Sequence, residues 1–129
     1  MNERSKQMMN KQQQVIYDTL KSFNFPVYED ELTEEDINPM NFFLIVYGDF
    51  KKSEAVNHLT QEIYVVYVSE DNPEVETKTL DLITVIDRIS GIDFHETIKR
   101  RLQKKKADKF VDQVTLVFSR KVKYDQVRD

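Results

Sequence analysis

Residues 98–125, "IKRRLQKKKADKFVDQVTLVFSRKVKYD", decide how the rest of the chain has to be arranged. The second half has a clear period of two. Val114, Leu116, Phe118, Val122 and Tyr124 alternate with Thr115, Ser119, Lys121 and Lys123, as in a strand, with Arg120 the one interruption on the inner face. The first half is ambiguous alone, because Ile98 and Leu102 are spaced for a helix while Phe94, Ile98 and Leu102 also share one strand face. A strand of that length wants an antiparallel neighbour, and the preceding residues supply it through a turn near "KKKADK". The reading is a hairpin arm, 98–110, that carries seven Lys or Arg in thirteen positions. A helix there is the lesser alternative.

Working back from this hairpin, "SEDNPEVETKTLDLITVIDRISG" (69–91) is the best-marked helix. Asp71 or Asn72 is placed to cap it and Pro73 to occupy its first position. Glu74 and Glu76 sit near the positive end of the dipole, and Gly91 is placed to end it. Val75, Thr79, Leu82, Ile83, Ile86 and Ile89 form its apolar stripe. "HLTQEIYVVYVSE" (58–70) reads as a strand with Leu59, Ile63, Val65 and Tyr67 on one face. Tyr64, Val66 and Val68 make its other face partly apolar, as in a central strand or one covered by an assembly partner. "NFFLIVYGDF" (41–50) reads as a buried strand ended by Gly48 and joined to the next by "KKSEAVN". Met8, Gln12, Val15, Ile16, Thr19, Leu20 and Phe23 mark an amphipathic helix from about Ser5 to Ser22.

The expected fold is α+β: a four-stranded, mainly antiparallel sheet with two helices on one face, in the order helix-strand-strand-helix-strand-strand. With 129 residues this is one domain, 1–129, with an acidic loop at 29–41 started by "YEDELTEED", in which Thr33 could start one helical turn. The net charge of −4 conceals a division into −11 over residues 1–97 and +7 over residues 98–129. Such polarity governs how a molecule meets partners, including copies of itself.

The segments "IYDTLKS", "PVYEDELTEED", "FFLIVYGDF", "LTQEIYVVYVSED" and "TLDLITVIDRI", in that order, resemble the small tail-terminator and tail-completion proteins of long-tailed bacteriophages. The resemblance covers most of the chain and lies in pattern and order. It implies a virion protein at the head–tail junction, assembled in the host cytoplasm. As a ring of identical copies it would stop growth of the tail tube and join it to the head connector. The partners implied are further copies of the chain, the tail tube protein, the connector protein and DNA passing through the lumen without sequence-specific contact. No membrane is implied, and the family carries no catalytic residues to transfer.

Site chemistry read from the residues points the same way. The chain has no cysteine, so thiolate nucleophiles, disulfides and Cys-ligated metals are excluded, and the composition suits a reducing compartment. The polar start and the lack of a long apolar run predict a soluble protein without an export signal. The histidines, His58 and His95, have no ligand partners at chelating spacing and no marked serine partner, so neither a metal site nor nucleophilic catalysis is expected, and no cofactor is. "EDELTEED" lacks the glycine turn of a calcium loop. Phe43, Tyr47, Tyr64 and Tyr67 are read as core or subunit interface rather than as stacking platforms for bases.

Three accounts of the basic arm stay open. It is an edge-protecting rim, a phosphate contact in a small nucleic-acid-binding module, or one half of a head-to-tail contact. In the last, Lys99, Arg100, Arg101, Lys104, Lys105, Lys106 and Lys109 of one copy face Glu29, Asp30, Glu31, Glu34, Glu35 and Asp36 of the next. A host-directed regulatory protein is a further possibility that composition leaves open.

Overall fold

The structure is a computed structural model and describes residues 1–30, 41–103 and 109–127. Its elements are α1 (Glu3–Lys21), β1 (Val27–Glu29), β2 (Phe42–Lys52), β3 (His58–Glu70), α2 (Val75–Asp87), β4 (Asp93–Gln103) and β5 (Phe110–Lys123). The strands form one mixed sheet in the order β1-β2-β3-β5-β4, with β1 parallel to β2 and every other pair antiparallel. The α+β class and the two helices agree with the sequence reading. The sheet does not: it has five strands, and the element order gains β1. Three residues, "VYE", are too few to display a period, and only their pairing with Phe43, Leu44 and Ile45 reveals them as a strand.

The hairpin that anchored the sequence reading is present. β4 and β5 pair from Asp93 opposite Ser119 to Gln103 opposite Phe110, and β5 also runs the whole length of β3. The turn expected near "KKKADK" falls outside the described residues, as does the helical turn expected at Thr33.

Alternation along β5 directs Val114, Leu116, Phe118 and Val122 to one face, where they are buried. Both helices pack there. Ile16 and Leu20 of α1 and Val75, Leu82 and Ile86 of α2 join Phe43, Ile45, Ile63, Val65 and Tyr67 in one core. Each large aliphatic side chain so buried contributes about 1.5–3 kcal/mol. Rings of Phe25, Phe43 and Tyr67 close its β1 end, Phe43 and Tyr67 at 5.3 Å. Phe43 and Tyr67 are therefore core residues, as read.

Two local expectations need correction. Gly48 does not end β2; the strand continues to Lys52 through an irregularity between Tyr47 and Phe50. A Cβ at Gly48 would lie 3.2 Å from the Glu62 carbonyl oxygen and 3.2 Å from the Tyr64 ring, so glycine permits a close approach there instead of stopping the strand. α2 begins at Val75, which leaves Pro73 in the preceding turn. The N-cap position is Glu74, without a side-chain capping bond, so neither Asp71 nor Asn72 caps the helix. Asn72 instead holds the preceding turn, its Oδ1 accepting the Glu74 N–H at 2.9 Å and its Nδ2 donating to Tyr67 Oη and Ser69 Oγ. Gly91 lies past the end of α2 with φ +83°, in the left-handed region that favours glycine.

Candidate assembly surface

Helices cover one sheet face, so the chemistry that remains available lies on the other face and along the edges. On the face away from the helices Phe42, Val68 and Val111 form a second, smaller apolar cluster that is itself buried, with Tyr28, Leu44 and Val66 partly buried beside it. Thr115 and Val117 continue this face on β5, opposite Ile98 and Glu96 of β4. Ile98 and Leu102, on that same face with Arg100 between them, are 53% and 57% exposed. Two large aliphatic side chains left exposed on an edge strand suit a contact that covers them.

Four members of the basic arm fall among the described residues: Lys99, Arg100, Arg101 and Lys109. The strand period divides them. Lys99 lies opposite Val114 and Arg101 opposite Asp112, on the helix-covered side, while Arg100 faces the other way. Lys99 Nζ donates to Glu76 Oε1 of α2 at 2.9 Å, and this bond holds the Glu76 carboxyl below its ordinary range. Arg101 grips Asp112 with two hydrogen bonds, Nε to Oδ1 at 2.7 Å and Nη2 to Oδ2 at 3.0 Å, which raise its own pKa. Its guanidinium also lies 4.1 Å from the centre of the Phe110 ring. Asp112 is wholly buried, so Arg101 is the counterion of an interior carboxylate rather than a loose cation. Thus Lys99 and Arg101 are already paired within the chain, while Arg100 and Lys109 have no ion-pair partner among the described residues. Lys104, Lys105 and Lys106 lie outside the described residues.

Of the acidic set, Glu29 ends β1 and Asp30 follows it with φ +65°, its N–H donating to the Ile45 carbonyl at 2.8 Å. Glu31, Glu34, Glu35 and Asp36 lie outside the described residues. The structure places Glu29 and Asp30 on the β1 edge and the basic arm on the β4 edge, at opposite ends of the sheet order. One copy therefore does not bring them together.

His95 corrects another expectation, since its Nε2 lies 2.6 Å from Oγ of Ser119. The irregularity of β4 between Phe94 and Glu96, where His95 lies, brings them together from 24 residues apart, a distance at which no motif was visible. Ser119 also pairs across the sheet with Glu62, whose carboxylate accepts the Tyr64 hydroxyl and raises the Tyr64 pKa. Among the described residues nothing holds Nδ1 of His95 in the way an orienting carboxylate holds a catalytic histidine. No group of ligating side chains that would hold a metal occurs among them either. Nor is any described helix long and apolar enough to cross a membrane.

Beneath α1 lies a polar cluster around Arg120, which is 1% exposed. Its Nε donates to Gln61 Oε1 at 2.9 Å, Nη1 to Gln12 Oε1 at 3.2 Å and Nη2 to Gln13 Oε1 at 3.2 Å, and its guanidinium lies 5.1 Å from the centre of the Tyr47 ring. The interruption read on the inner face of β5 is therefore a charge held by neutral amides, and burial lowers its pKa. This cluster ties α1 to the sheet, with Arg120, Gln12 and Gln61 buried and Gln13 at its margin. A cavity of about 280 Å³ between α2 and β4, lined by Val75, Leu80, Ile83, Thr97 and Val114, has the Lys99–Glu76 pair in its wall.

No family model matches the sequence, and no curated protein matches it.

Proposed function

We propose that the protein is a non-enzymatic structural subunit that assembles into a ring, which terminates a phage tail tube and joins it to the head connector, with DNA passing through the lumen. The observation that carries the assembly reading is the edge strand β4, which leaves Ile98 and Leu102 more than half exposed on the face away from the helices, with Arg100 between them. An interface built on such a strand is apolar at its centre and charged at its rim, with the charges setting orientation and encounter rate. The phage setting rests on the order of segments along the sequence. The nucleic-acid module loses ground, because Lys99 and Arg101 serve Glu76 and Asp112 and would have to leave them to meet phosphates.

The experiment is a charge exchange followed by mass measurement across concentration. Reversing Lys104, Lys105 and Lys106 to glutamate should weaken assembly, as should reversing Glu34, Glu35 and Asp36 to lysine, and combining the two sets should restore it. Failure of the combined variant to recover would remove the electrostatic pairing from this account.

A further inference from the structure

Among the described residues the sheet has two free edges of opposite charge. There β4, bonded to β5 alone, carries Lys99, Arg100 and Arg101, and β1, bonded to β2 alone, ends in Glu29 and Asp30. At the β1 edge the backbone bonds reveal which groups are free. The Pro26 carbonyl accepts the Phe43 N–H at 2.8 Å and the Asp30 N–H donates to the Ile45 carbonyl at 2.8 Å, so residues 26 and 30 turn toward β2. By strand alternation Tyr28 does the same, and Val27 and Glu29 present their N–H and C=O groups outward.

Strand direction settles what can join this edge. β1 runs with β2, and each step from β2 to β3, β5 and β4 reverses direction, so β4 runs antiparallel to β1. A second copy brought edge to edge in the same orientation therefore offers its β1 to β4 as an antiparallel strand, with both helix layers on one side.

We infer that copies of this chain join by pairing β4 of one with β1 of the next, so that the sheet runs on through the contact. This rests on the self-assembly reading above and specifies which backbones meet. The contact is heterologous and closes into a ring when its rotation allows. Lysine and arginine on an edge usually discourage such pairing. Here Lys99 and Arg101 are drawn back onto Glu76 and Asp112, which leaves the β4 backbone approachable. Glu29 lies opposite Ile45, so its side chain shares the helix-covered side with Thr97 and Lys99, while Ile98 and Arg100 lie on the other. A continuous sheet sets the Glu29 carboxylate of one copy in the cationic row of its neighbour.

Since the chain has no cysteine, paired substitutions report the contact directly. Glu29→Cys is combined in turn with Thr97→Cys, Ile98→Cys, Lys99→Cys or Arg100→Cys, and each variant is oxidised over a concentration series and run on a non-reducing gel. Positions 97 and 99 should yield a ladder of covalent oligomers, and positions 98 and 100 about tenfold less, because successive side chains point to opposite faces. Equal yields at all four, or no ladder from a chain whose native mass reports an oligomer, would overturn the edge pairing and leave the assembly reading standing. A chain that is monomeric throughout and forms no ladder would overturn both. Glu29→Pro, which removes an outward N–H and keeps the bonds to β2, provides an independent arm. It should abolish assembly without shifting the monomer's far-UV spectrum, and full assembly by this variant would count against the pairing.

Discussion

Replacing Arg120 with methionine should destabilise the fold by about 3 kcal/mol, an amount set by the acceptors it strands. Methionine retains the stem of the side chain but none of its donors. Gln61 and Gln12 are buried and held in place independently, Gln61 by its Nε2 bond to the Gly48 carbonyl at 2.9 Å and Gln12 by its Nε2 bond to the Ser90 carbonyl at 3.1 Å. Their Oε1 atoms cannot turn away, and each loses its donor at a cost of about 1–3 kcal/mol. Gln13 is less buried and can turn to water. The two together cost about 2–6 kcal/mol, and removing a buried guanidinium returns part of its desolvation cost, which brings the net loss to about 3 kcal/mol. For a domain of this size, about 4 °C per kcal/mol gives a drop in Tm of roughly 12 °C. The chain has no tryptophan, so urea unfolding followed by far-UV circular dichroism is the suitable assay, with the slope unchanged if only stability moves. The double variant with Gln12→Leu should be less destabilised than the sum of the single changes by about 1 kcal/mol, since one orphaned oxygen disappears. A loss below about 1 kcal/mol for Arg120→Met, or strict additivity in the cycle, would refute the idea that these amides cage the charge.

Tyr47 has a buried hydroxyl without a hydrogen-bond partner among the described residues, so Tyr47→Phe should leave stability unchanged or raise it by up to about 1 kcal/mol in the same urea assay. Burial raises the Tyr47 and Tyr67 pKa values; such groups contribute their stability in full below the unfolded value of about 10 and lose it as pH rises toward the folded one. Alkaline melts should therefore fall above that pH, and fall less steeply in Tyr47→Phe. Gly91→Ala should cost about 1–2 kcal/mol, because φ is +83° and the new Cβ would lie 2.7 Å from Gln12 Nε2. Arg101→Ala should lower Tm clearly more than Lys99→Ala, since the first leaves buried Asp112 without its counterion and the second frees an exposed Glu76.

The elements with a full period were legible in the sequence: the alternation of 114–122, the two faces of 58–70 and the stripe of α2 lie where they were read. The α1 stripe holds at Gln12, Ile16 and Leu20 but not at Met8 and Val15, which are exposed. Arg120 was also readable as an inward-facing exception. β1 was not, because a three-residue strand has no period and exists only through its partner. Gly48 misled because a glycine that ends a strand and one that admits a neighbouring backbone look alike until the neighbour is known. The candidate surface shows the same limit. Charge run and acidic run were visible, but the pairing of Lys99 with Glu76, of Arg101 with Asp112 and of His95 with Ser119 depends on register across 11 to 24 residues. Composition could not reveal that part of the basic arm is engaged within its own chain.

The central claim, that this chain is built to join copies of itself, is tested most directly by its mass in solution across a wide concentration range, measured at physiological salt with and without an oligonucleotide. The account predicts a monomer that passes into one closed oligomer of fixed subunit number as concentration rises, regardless of added nucleic acid. A chain that stays monomeric throughout and binds the oligonucleotide tightly would contradict it.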